Sequence, residues 1–125
     1  MFSDDYILRQ IETLTRMLGQ VLFQRQPAGE EMFDARGNIT TEGLLLHKLK
    51  HMIAKGEINA AENFLFEEIE SSHNILLLPA AVEFYKILST LSEKRLQECD
   101  YSSEEIASGL QEVQRIFESY ETETQ

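Results

Sequence analysis

The sequence predicts an all-α protein of about five antiparallel helices packed as one bundle. Three observations carry that prediction. In each long segment the apolar residues return every three or four positions, the period of a helix with one buried face. Only two prolines and six glycines interrupt the 125 residues. The stretch AAVEFYKILSTLSEKRLQEC, from Ala80 to Cys99, covers an apolar arc of roughly 200° when laid on a helix, about twice the stripe of an ordinary surface helix. Ala81, Phe84, Tyr85, Leu88, Leu91, Leu96 and Cys99 mark its middle, and Val82 and Ile87 its flanks. A helix of that kind is covered on two sides, so residues 80–99 are the expected centre of a single domain spanning 1–125. A chain this long buries enough surface to fold without staples.

The first helix is expected from Asp4 to Gln26. Ser3 is its candidate N-cap, and Asp4 and Asp5 suit the positive helix end. Ile7, Ile11, Leu14, Leu18 and Val21 form a seam with steps of four and three, widened by Leu8, Met17 and Leu22. Asp5, Arg9, Glu12 and Arg16 occupy the opposite face, and Pro27 stops the helix. The seam is expected to pack inside the chain; the alternative is a homodimer through this N-terminal helix. Residues 27–40, PAGEEMFDARGNIT, form a connector with a tight turn at DARGN and two apolar residues, Met32 and Phe33. A small extended hairpin is an option there. Its length makes the connector a candidate partner-contacting segment.

A second helix follows from Thr41 to Lys55, with Leu45, Leu46, Leu49, Met52 and Ile53 inward and Gly56 as its stop. The third starts near Asn59, where Asn59 and Glu62 have capping-box spacing, and turns Ala61, Phe64, Leu65 and Ile69 inward. Residues 71–79 connect it to the central helix, with Pro79 allowed in the first turn. After Cys99, Asp100 and Tyr101 make a turn. Ser102 and Glu105 then form a capping box, with Tyr101 and Ile106 as the matching staple. The last helix runs to Tyr120 on a seam of Ile106, Leu110, Val113, Phe117 and Tyr120, leaving 121–125 as a loose tail.

Gly56, Ile58 and Ala61 lie between two amphipathic helices, with Leu45 and Leu65 at large apolar positions on either side. In these positions residues 44–70 resemble one hairpin of a tetratricopeptide repeat, a unit of about 34 residues. The resemblance implies a helical hairpin. The whole chain also resembles short, acidic, helical proteins of uncharacterised families in Gram-positive bacteria, which implies no activity.

The formal net charge is −11, from 11 Lys and Arg against 22 Asp and Glu. Such a surface repels phosphate backbones and anionic lipid headgroups, so neither nucleic acid nor membrane is an expected partner. The lone cysteine, Cys99, is expected to be a small buried hydrophobe and suits a reducing compartment. With an acidic N-terminus, MFSDDY, and no apolar run near the ~20 residues that cross a bilayer, the expected location is the cytoplasm.

His47 and His51 are one turn apart on the second helix, a spacing that places two ligands on one metal. Lys48, Lys50 and Lys55 surround them and repel a cation, and the pattern lacks the glutamate of a zinc protease motif. His73 stands alone. Glu57, Glu62, Glu67, Glu68 and Glu70 read as a solvated face or as a dock for a basic partner. No phosphate loop or nucleophile motif is present, so no cofactor and no catalysis are expected. Phe23, Met32, Phe33 and Phe66 are candidate partner-binding residues, with Leu44 at the edge of its helix. The function read from these features is a non-catalytic helical module that binds another protein or itself. The alternative is a metal-dependent enzyme or metal sensor using His47 and His51. A third reading, an acidic decoy for a nucleic-acid-binding protein, rests on charge alone.

Overall fold

A computed structural model describes residues 2–25, 41–73 and 77–123. Among them the chain forms six helices and no strand: α1 (Phe2–Arg25), α2 (Thr41–Ala54), α3 (Ile58–Ser72), α4 (Leu78–Ser89), α5 (Glu93–Glu98) and α6 (Ser103–Glu123). This is the expected all-α bundle. The connector 27–40, with Met32, Phe33 and the suggested hairpin, lies outside the described residues, as does the side chain of Phe23.

α4 is the hub, because it packs against α1, α2 and α6. α1 also lies along α6, and α3 packs on α2. The reason is in its composition: Leu78, Pro79, Ala80, Ala81, Val82, Phe84, Tyr85 and Leu88 are all buried, leaving Lys86 and Ser89 in solvent. Pro79 sits in the first turn, where its missing N–H costs nothing. The Phe84 and Tyr85 rings meet edge to face, 4.9 Å between centroids.

The expected unbroken helix over 80–99 is corrected here: it breaks at Thr90–Ser92, and this break makes six helices of the expected five. Local hydrogen bonding defeats the apolar pattern. The Ser89 and Thr90 hydroxyls fold back onto the carbonyls of Lys86 and Ile87, at 2.7 and 2.6 Å. Ser92 is extended (φ −70°, ψ 157°), and its hydroxyl accepts the Arg95 N–H at 3.1 Å. Ser92 is thus an N-cap, and Glu93 supports the new start in the first turn. Leu96 and Cys99 still reach the core from α5 and its C-terminus.

In α1, Ile11, Leu14 and Leu18 are buried and Ile7 is partly so, but Leu8 and Met17, expected to widen the seam, are exposed. α2 and α3 bury the expected faces, with Met52 and Phe64 partly covered. Gly56 ends α2 at φ +84°, a left-handed position that glycine adopts without strain. Its N–H bonds the Ile53 carbonyl and the Glu57 N–H bonds that of Met52, the two closures of a Schellman motif. α3 starts at Ile58 behind Glu57, which makes no side-chain cap, so Asn59 and Glu62 do not form the expected capping box. At α6 the serine half of the box is present: Ser102 Oγ accepts the Glu105 N–H at 3.3 Å, while the Glu105 carboxylate accepts the Ser102 hydroxyl at 3.2 Å. The staple residues Tyr101 and Ile106 are both buried. α6 runs on to Glu123, past the expected end at Tyr120, so residues 121–123 are helix rather than tail. No described helix is long and apolar enough to cross a membrane.

Candidate functional site

Asn59 and Glu62 are one turn apart on the flank of α3, beside the face formed by Ile58, Ala61, Leu65 and Ile69. That flank meets the corner between α5 and α6. Glu62 Oε2 accepts two phenolic hydrogens, from Tyr85 of α4 at 2.5 Å and from Tyr101 of the corner at 2.7 Å. Asn59 Nδ2 donates to the main-chain carbonyl of Asp100 at 3.0 Å, with a longer contact to that of Cys99. The corner itself is a Schellman motif: Asp100 N–H bonds the Gln97 carbonyl and Tyr101 N–H that of Leu96. Asp100 holds the left-handed position at φ 57°, where glycine is commoner. Three segments of the chain therefore converge on one carboxylate and one amide.

Tyr85 has no solvent exposure, and Tyr101 has almost none. Burial, and after it the Glu62 charge, pushes both phenols well above the ordinary tyrosine range. Both stay protonated as donors at neutral pH, and neither serves there as base or nucleophile. The cluster ties the α5–α6 corner to α3 and α4. α6 passes so close to Tyr85 that a Cβ on Gly109 would run into the phenolic oxygen and the ring edge. Sequence reasoning missed this triad. The available signals were a tyrosine in the apolar arc of the central helix and a glycine inside the last helix.

Of the sequence-predicted site residues, His47, His51 and Phe66 have described side chains. His47 and His51 are exposed on the outer side of α2 with Lys48 and Lys50. Among the described residues no group of three or more His, Cys, Asp or Glu side chains could hold a metal ion. His73 caps the end of α3 in a left-handed conformation. Phe66, expected on the outer side of α3, is partly buried and packs against the core. Leu44 is exposed, and Cys99 is buried. Glu57, Glu67, Glu68 and Glu70 are solvated, while Glu62 turns to the phenols. A groove of about 200 Å³ lies between Ile7 of α1 and the α5–α6 corner, and Glu93 and Glu104 give its rim negative charge.

Among the described residues, the large apolar side chains that remain exposed are Tyr6 (67%), Leu8 (48%), Met17 (44%) and Leu44 (40%), three of them on α1. Tyr6 and Met17 are about three turns apart on one side, with Gln10 and Thr13 between them and no charge on that stripe.

The fold and the tie at Glu62 define the class: a small helical bundle whose short fifth helix is pinned by a half-buried carboxylate holding two buried phenols. A family model described as a family of unknown function, DUF6483, matches residues 1–118, and the chain belongs to that family. The matching model is not a tetratricopeptide one. No curated protein and no solved structure matches the chain.

Proposed function

We propose that the chain is a non-catalytic helical module that binds another protein or a second copy of itself, with α1 as the contact helix. The observation that carries this reading is the uncharged stripe of α1 with Tyr6 and Met17 in solvent. A second copy laid antiparallel brings Tyr6 against the partner's Met17 and Gln10 against the partner's Thr13, a contact that buries the exposed apolar side chains with no charge between them. The likeness of the α2–α3 pair to a tetratricopeptide hairpin supports the same reading, through left-handed Gly56 and the buried Ile58 and Ala61. The free thiol of Cys99 suits a cytoplasmic location, and the net charge of −11 disfavours nucleic acid and anionic membranes as partners. Size-exclusion chromatography with light scattering is the test. A dimer, or a stable complex in a pull-down, that is lost in Tyr6→Lys with Met17→Lys supports the proposal. A strict monomer that captures nothing removes it.

A further inference from the structure

α2 turns a cationic face to solvent in a chain of net charge −11. Leu44, His47, Lys48, His51 and Lys55 follow at helical steps and are all exposed, with Lys50 on the flank. Past Glu42, in the first turn, the helix carries no carboxylate. Among the described residues Lys50 and Lys55 form no ion pair, and Lys48 reaches over the Phe64 ring, 5.8 Å from its centroid. α3 is the reverse: it has no Lys or Arg, and its exposed positions include Ala60, Asn63, Glu67 and Glu70.

We propose that this face of α2 docks a second copy of the chain, which seats its α3 there head to tail. The proposal rests on the reading of the chain as a binding module but uses a different surface from the α1 stripe. Charge complementarity selects the occupant, and the helical steps agree with it. With the two helices parallel in one register, Leu44 meets the partner's Ala60, His47 the partner's Asn63 and His51 the partner's Glu67, which places Lys55 opposite the partner's Ser71 and next to the partner's Glu70. Each copy offers one α2 face and one α3 face, so the contact does not close on itself and leads to an open chain. Repulsion between two acidic bodies is screened beyond about 8 Å at physiological ionic strength, while charges in contact are screened less. Exposed ion pairs are individually weak, so the association belongs to high protein concentration.

The test is sedimentation equilibrium at physiological ionic strength, in a chain already carrying Tyr6→Lys and Met17→Lys so that α1 contributes nothing. The average mass is expected to rise with concentration past twice that of the protomer. Lys48→Glu with Lys55→Glu loses the rise. Glu67→Lys with Glu70→Lys loses it too, although the two pairs move the net charge in opposite directions. Mixing these two variants restores the rise, because each complements the other at both faces, and all four changes in one chain restore it as well. A parent chain that stays monomeric, a charge reversal without effect, or a mixture that stays monomeric overturns the proposal. Association that vanishes as soon as Tyr6 and Met17 are replaced supports the α1 contact and overturns this one.

Discussion

Gly109 occupies a helix position where alanine would normally be better by about 1 kcal/mol. Here the added methyl would strike the Tyr85 ring, which is fully buried and tied to Glu62. Gly109→Ala is therefore expected to destabilise the fold by about 1–3 kcal/mol, the range for overpacking, measured by urea unfolding. Removing the shared acceptor strands two phenols at once. Glu62→Ala is expected to cost about 2–4 kcal/mol, more than Tyr85→Phe, which removes a single donor. The same tie gives a pH signature. Both phenols are shifted upward in the fold, so stability is unaffected below the unfolded tyrosine value of about 10 and falls above it. There the unfolded chain releases protons that the native state keeps, at about 1.4 kcal/mol per pH unit for each phenol. Tyr85→Phe should remove one such share of the slope between pH 10 and 11; an unchanged slope would mean the hydroxyl is not held as described. None of this triad was legible in the sequence, because its members are 23 and 39 residues apart and no local pattern joins them.

Among elements, legibility followed the strength of local hydrogen bonding. The Ser102–Glu105 box was readable from four residues, and its serine half is present because serine and glutamate there satisfy each other without tertiary help. Gly56 was readable for a similar reason, since a left-handed helix end selects glycine. At Asn59 the same spacing misled: the amide and the Glu62 carboxylate found long-range partners that a capping box would have left unmet. The break at Thr90–Ser92 was hidden by apolar periodicity that runs on across it from Leu88 to Leu96. The sign in the sequence was Ser92 followed by Glu93, a helix start. Ser92→Ala is expected to cost about 1 kcal/mol and to raise amide exchange within α5 while leaving α4 protected. Equal exchange in both helices would mean that α4 and α5 open as one unit.

At the scale of the molecule, the apolar patterns placed the hub correctly, because burial of a wide apolar arc needs no knowledge of partners. α4 does contact α1, α2 and α6. The contact face was less legible. The apolar residues singled out for it included Phe66, which the bundle covers in part, whereas Tyr6 was passed over and Leu8 and Met17 were assigned inward. A helical wheel shows which residues share a side but not how far a neighbour extends over that side; α6, lying along α1, fixes that boundary. The central claim is that the uncharged side of α1 is where this protein meets its partner. A photo-reactive residue placed at Met17 tests it most directly. The account predicts a discrete crosslinked species, a dimer or one heterologous complex, from position 17 and none from exposed Gln111 of α6. Equal crosslinking from both positions, or none from position 17, would contradict it.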